Sequence, residues 1–317
     1  MPCISVCIEF GLNMNRYFTW ASQHGAFCLL ILGYCLTQTL GFTADTSEQF
    51  KVHKDLNYSQ ANEVLTLDLF LPKTVSESVP CILVIQGGGF NAQDGQKFRP
   101  FAEYLAEHGF AAALIAYRGR PDHQYRDTVA DTKAAVRFVR SIAEQHSIDP
   151  DRIGAMGRSA GGTLAGLLAV TGGMESFEGE GGHADYSSRI QAAVAYAGVF
   201  DFVSRFTDEK QIALQPNVET KVISNGEWVG PPFSPDGKDW IRASAITHVD
   251  KEDPPILLIH CEDDATVPWI QSELMFEAMK KAGADVSQIC YKEGGHGFKG
   301  REELSMAAMV EFFKETL

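Results

Sequence analysis

The sequence predicts an α/β fold built on a mostly parallel central sheet with helices on both faces, and two observations predict it. From residue 65 onward, short apolar runs of strand length alternate with longer segments of helical period. Two of the runs, CILVIQ at 81–86 and FAAALIAY at 110–117, are apolar almost without interruption, as strands covered on both sides are. Regular alternation of the two element types implies right-handed crossovers, which lay successive strands parallel.

The elements follow in order. LTLDLF at 65–70 alternates with period two and reads as the first strand, with 81–86 the second. A helix at 98–108 ends at Gly109, and the strand at 110–117 follows. Residues 127–146 place Val129, Val136, Val139, Ile142 and Ala143 on one face with charges opposite, the pattern of an amphipathic helix packed on a sheet. DPDRIGAMG at 149–157 supplies a turn and a strand, and the helix after Ser159 is rich enough in Ala, Gly and Leu to lie close to the sheet. IQAAVAYAG at 190–198 and PPILLIH at 254–260 are two further strands, 273–281 is helical, VSQICY at 286–291 is the last strand, and 302–317 is a closing helix. EGEGGHADYSS at 178–188 and the stretch 201–245 fall outside the alternation. Loops that long inside a domain are usually functional or mobile, so 201–245 reads as a lid-like excursion.

Composition narrows the partners. Of 317 residues 45% are hydrophobic and 21% charged, ordinary globular usage. The formal net charge of −14, from 41 acidic against 27 basic residues, repels nucleic acid and anionic lipid surfaces and suits a neutral substrate. The first 44 residues carry only Arg16 and Glu9 as charges, then AFCLLILGYCL at 26–36 and small residues at Gly41 and Ala44, which together read as a secretory signal and leader. That apolar run is shorter than the ~20 residues needed to span a bilayer, so no stable membrane insertion is expected. Residues 45–317 are then a single catalytic domain, secreted or periplasmic. Cys3, Cys7, Cys28 and Cys35 lie in the leader, leaving Cys81, Cys261 and Cys290. Three is too few for a disulfide framework, and each sits in or beside an apolar run where free cysteine behaves as a small buried hydrophobe. The oligomeric state has no sequence signal.

Chemistry concentrates in four glycine-rich or acidic words, each directly after a predicted strand. In GRSAG, Ser159 lies between Gly157 and Gly161 at a strand-to-helix boundary. A sharp turn there projects the hydroxyl and leaves no room for side chains two residues away on either side, while the helix start aims free N–H groups at developing negative charge. QGGGF at 86–90 offers backbone N–H groups that, with that of Ala160, make an oxyanion hole. HCEDDATVP at 260–268 brings carboxylates to the end of a strand, and GGHGF at 294–298 frees His296 among glycines. Alone, each has a plainer reading: a capped helix start, a glycine turn, a solvated loop, a structural histidine. Together they give Ser, Asp, His in the chain order of a nucleophile-elbow hydrolase triad.

These words resemble the α/β-hydrolase fold, in the acetyl-esterase and carboxylesterase group that includes hormone-sensitive-lipase-like enzymes and bacterial feruloyl and acetylxylan esterases. YRGRP, GRSAGG, SSRIQAAVAYAGVFD, ASAITHV and GGHGF carry the likeness, which extends over 56–317. The resemblance implies Ser159 as nucleophile, His296 as base, Asp264 as the acid with Asp263 beside it, and Gly88, Gly89 and Ala160 as oxyanion donors. Gln86 stands where the family commonly has histidine, and an amide can brace that loop equally well; Cys261 replaces a usual glycine. No helical cap fits ahead of the first strands, which favours the feruloyl or acetylxylan branch. The expected substrate is a small-molecule or carbohydrate ester, and the chemistry requires no metal or organic cofactor. His183 and Asp185 read as a loop pair, since no third ligand lies at a recognisable spacing. Phe90, Trp228 and Trp269 are expected to contact substrate, although Trp228, Trp269, Phe233 and Trp240 can equally anchor the excursion to the body.

Overall fold

The apolar runs assemble into one sheet. Its strands are β1 (Phe50–Asn57), β2 (Thr66–Pro72), β3 (Val79–Ile85), β4 (Ala111–Ile115), β5 (Ile148–Arg158), β6 (Ala192–Tyr196), β7 (Ile256–Cys261) and β8 (Val286–Tyr291). The computed structural model describes residues 50–317 apart from 61–62 and 75–76, so the leader read at 1–44 lies outside the described residues. The spatial order is β1-β2-β4-β3-β5-β6-β7-β8, with β1, β2 and β4 paired antiparallel and every later pairing parallel.

Burial explains which strands were legible. β4 and β6 are buried at every residue and β7 likewise, because each has a neighbour on both edges and helices over both faces. β1 is an edge strand, FKVHKDLN, with most of its residues at least partly exposed, and it lacks the apolar signature for that reason. Cys290 is a correction: it is exposed on β8, the other edge, while Cys81 and Cys261 are buried and all three are free thiols.

The two faces carry separate cores. One packs α1 (Arg99–Glu107) and α10 (Glu302–Thr316) through Ala102, Leu105, Met309, Val310 and Phe313. The other packs α2 (Tyr125–Ser141), α3 (Ala160–Val170) and α9 (Ile270–Ala282) through Val129, Val136, Leu164, Leu168, Met275 and Met279. α2 begins two residues earlier than its periodicity suggests, because Gln124 and Asp127 form a reciprocal capping box.

The segment 178–188 is fastened by a short helix, α4 (Glu175–Glu178), and a buried cation. Lys133, fully buried on α2, donates to Thr171 O, Glu178 Oε1 and Ser188 Oγ, and Arg137 pairs with the same Glu178. The His183 ring packs edge-on against Phe138 at 5.4 Å. Among the described residues no group of three or more His, Cys, Asp or Glu is placed to hold a metal, and no helix is long and apolar enough to cross a membrane.

The excursion at 201–245 is helical: α5 (Phe202–Thr207), α6 (Glu209–Leu214), α7 (Val218–Val229) and α8 (Lys238–Arg242). Asp201 caps α5 by accepting from Val203 N and Ser204 N, and Asp208 caps α6 by accepting from Gln211 N. These helices are short, and α7 contains Asn225 and Gly226, so propensity alone does not announce them.

Candidate active site

β5 stops at Arg158 and α3 starts at Ala160, so the whole turn is Ser159, at φ 60° and ψ −124°. That backbone is strained for a residue with a side chain, by about 1–3 kcal/mol. It is held by Ser159 N donating to Tyr196 O at 2.8 Å and Thr163 N donating to Ser159 O at 3.0 Å. The flanking glycines have a steric reason. A Cβ on Gly161 would stand 2.0 Å from Ile85 O, and one on Gly157 would stand 2.2 Å from Gly161 O. Gly161→Ala is therefore expected to destabilise the fold by about 1–3 kcal/mol, as overpacking does. Thermal denaturation checks this; an unchanged Tm would mean that the helix does not press on β3 as described.

The glycine loop after β3 lies directly against this turn. A Cβ on Gly87 would meet Arg158 O at 2.2 Å and the Ser159 Cβ at 3.0 Å. Among the described residues the N–H groups of Gly88, Gly89 and Ala160 have no protein acceptor, so the loop and the start of α3 present donors beside the hydroxyl. Gln86, buried below them, accepts from Lys97 N at 2.8 Å and donates to Gln93 Oε1, while Tyr117 donates its hydroxyl to Gln86 O at 2.5 Å. Its amide thus ties the start of the loop to the segment that follows it.

Asp264 and His296 meet. Asp264 Oδ2 accepts from His296 Nδ1 at 2.7 Å, and Oδ1 accepts from Thr266 N at 2.7 Å and Val267 N at 3.0 Å. His260, buried at the end of β7, places Nε2 3.2 Å from Asp264 Oδ2 and 3.0 Å from Val267 O. Two acceptors on that nitrogen put a proton there, and its Nδ1 faces Ser272 Oγ at 2.7 Å. Burial pushes the Asp264 carboxyl up, but the hydrogen bonds and charge of His260 and His296 outweigh it and hold the group well below the usual carboxylate range. A carboxyl depressed on folding stabilises the fold above its ordinary value of about 4, and that contribution is lost only as pH falls through the lower folded value.

The neighbouring Asp263 has a different task. Its carboxylate accepts from Gly295 N at 2.7 Å and Gly294 N at 3.2 Å, clamping the backbone that carries His296. The same loop is tied to the serine turn: Arg158 Nη1 donates to Gly297 O at 3.4 Å while its guanidinium lies 5.2 Å from the Phe98 ring. A residue adjacent to Ser159 therefore bonds one adjacent to His296, although the loops leave strands three places apart in the sheet.

The excursion supports both sides of this site. Arg205 of α5, buried, donates to Thr266 O at 2.9 Å in the acid loop, and Lys221 of α7 donates to the same carbonyl. Burial, with the nearby Arg205 charge, lowers the Lys221 ammonium to about 8. Phe90 and Trp228 are both buried, stacked at 3.9 Å, and Trp228 Nε1 donates to Thr128 Oγ1 at 3.0 Å. Trp240 is buried too, its Nε1 shared by the carbonyls of Pro231 and Pro232, with Phe233 edge-on at 4.9 Å. Phe90 and Trp228, expected to contact substrate, are placed by the structure face to face inside the molecule, where they join the excursion to the body. Trp269 is half-buried, at the start of α9 beside the acid loop.

With this geometry, residues 67–279 match a family model described as BD-FAE, which covers more than half of the chain. The chain belongs to the BD-FAE family. A probable carboxylic ester hydrolase, LipM, of Mycobacterium tuberculosis is 27% identical to this member over 230 residues, 72% of this chain and 51% of that protein. The chain spans about half the length of the curated relatives it matches. A truncated form of a carbohydrate esterase from gut microbiota superposes with a TM-score of 0.76 at 28% identity, over 85% of this chain and 98% of that one. An acetyl ester-xyloside bifunctional hydrolase from Caldicellulosiruptor lactoaceticus gives 0.66 at 26% identity, over 80% and 89%. The fold of this BD-FAE member is that of the α/β-hydrolase esterases.

The sequence pointed to neither His260, Arg158 nor the loop clamp of Asp263. His260 does open the word that contains Asp264, four residues ahead, which is the one available signal.

Proposed function

We propose that the protein is an exported serine carboxylic ester hydrolase that removes short acyl groups, acetyl above all, from carbohydrate. The observation that carries this is the Asp264–His296 hydrogen bond at 2.7 Å in a loop that Arg158 ties to the Ser159 turn. His296 takes the Ser159 proton as the oxygen attacks the ester carbonyl, and Asp264 fixes the ring with its proton on Nδ1 and steadies the imidazolium. The oxyanion rests on backbone N–H groups of the glycine loop and of Ala160, each such donor being worth about 2.7–4 kcal/mol. The alcohol leaves with the proton from His296, and water then repeats the sequence on the acyl-enzyme.

Support for a short acyl group comes from the aromatics. Phe90, Trp228 and Trp240 are spent on packing, which leaves Trp269 as the one large aromatic candidate beside the acid loop and favours a small acyl group over a feruloyl ring. Acetyl and carbohydrate chemistry is named for the structural neighbours, and export rests on the leader at 1–44. Turnover should be compared on acetylated xylan, methyl ferulate, p-nitrophenyl acetate and an aminoacyl-naphthylamide. The expected order is release of acetate from the first and third, slow ferulate cleavage, and none of the amide. Preference for methyl ferulate would replace the acyl assignment, and amide cleavage would make the protein a peptidase.

A further inference from the structure

Three consecutive carbonyls of the glycine loop are tied down. Gly88 O accepts from Asn91 N at 3.2 Å and from Asn91 Nδ2 at 2.7 Å, Gly89 O from Arg120 Nε at 2.7 Å, and Phe90 O from Arg120 N at 2.8 Å. In a trans peptide the N–H points opposite to the preceding carbonyl. Fixing Gly88 O therefore aims the Gly89 N–H, and fixing Gly89 O aims the Phe90 N–H. Gly89 and Phe90 both have positive φ, 61° and 66°, and a glycine flanked by free peptide planes rotates easily. Asn91 closes that freedom on the N-terminal side, where the Gly89 N–H lies, and Arg120 closes it on the C-terminal side, so Arg120 aims the Phe90 N–H directly and steadies the Gly89 donor through the torsions of that glycine.

Arg120 is itself held. Its Nη1 pairs with Glu227 Oε2 of α7, and its side chain is only 19% exposed against 43% for Glu227. A guanidinium is a rigid plane, so a bond at Nη1 sets the direction in which Nε points. Glu227 precedes Trp228, which stacks on Phe90. Two adjacent residues of the excursion thus grip the loop, one through Arg120 and its backbone, the other through a side chain. Gly119 permits the approach, since a Cβ there would stand 2.3 Å from Phe90 O.

We propose that Arg120 is a positioning residue for the oxyanion hole, and that Glu227 of the excursion aligns it. This rests on the esterase reading above. The test is steady-state hydrolysis of p-nitrophenyl acetate, with labelling of Ser159 by a p-nitrophenyl phosphonate, whose tetrahedral adduct uses the same donors. Arg120→Gln is expected to lower kcat about 30-fold, less than the ~10²-fold or more of a donor lost outright because the donor is misaimed rather than removed, with KM within about twofold of wild type and labelling slowed in parallel. Arg120→Lys, which keeps the charge without the planar fork, is expected to stay at least about tenfold slow. Glu227→Gln is expected to lose about threefold to tenfold, and the double variant to be no slower than Arg120→Gln, because the carboxylate acts through the guanidinium.

Glu227→Gln leaves Arg120 in place, so it reads the coupling even if Arg120→Gln does not fold. A rise in KM with kcat intact, full activity in Arg120→Lys, or additive losses in the double variant would each overturn the proposal. A wild-type protein inert toward both reagents would remove the esterase reading itself, whereas an active wild type with unaffected variants removes only the role of Arg120.

Discussion

Ser159→Ala is expected to lower kcat for p-nitrophenyl acetate by about 10⁴-fold or more, leaving only the hydrolysis that binding and backbone donors support without a nucleophile. The substitution removes one oxygen and leaves the backbone as it is. The turn is maintained by main-chain bonds, Ser159 N to Tyr196 O and Thr163 N to Ser159 O, which alanine keeps. Tm should therefore be close to wild type, and the loss should lie in the chemical step. Mass spectrometry provides a second readout: the phosphonate should add to the wild-type peptide containing Ser159 and not to the variant. Turnover retained in the variant would mean that another group attacks the ester.

Asp264→Asn should lose about 10⁴-fold in kcat, some 5.5 kcal/mol of barrier, while Asp263→Asn should lose about tenfold or less. Asp264 accepts two backbone N–H bonds on one oxygen and faces two imidazole nitrogens with the other. An amide keeps the first oxygen but turns a donor toward both rings. His296 then has to present a bare Nδ1, which puts its proton on Nε2, the nitrogen needed to receive one from Ser159. Asp263 only clamps the backbone at Gly294 and Gly295, and an amide oxygen keeps one of those bonds. Kinetics of the two variants on one substrate decide the matter, and the reverse ranking would reassign the acid.

Much of the sheet was readable because burial on both faces leaves a strand no choice but apolar residues, as at 81–86 and 110–117. The candidate nucleophile could be picked out for a related reason. A residue that must project from a strand end is flanked by glycines whose missing side chains serve close packing, and Gly157 and Gly161 are such a pair. β1 escaped notice because an edge strand can be polar, and α5 to α8 because short capped helices take their stability from the surface beneath them.

The sequence by itself determined the alternation of elements, the parallel sheet and the order in which serine, aspartate and histidine leave its strands. Those properties are local, written in periodicity and in residue types at strand ends. Only the tertiary structure decided that Trp228 stacks on Phe90 inside the molecule, that His260 shares Asp264 with His296, and that Glu227 reaches Arg120 from 107 positions away. An aromatic residue fits a binding slot and a core equally well, and a charged one fits solvent or a partner. The choice between them is made by what the folded chain brings within bonding distance.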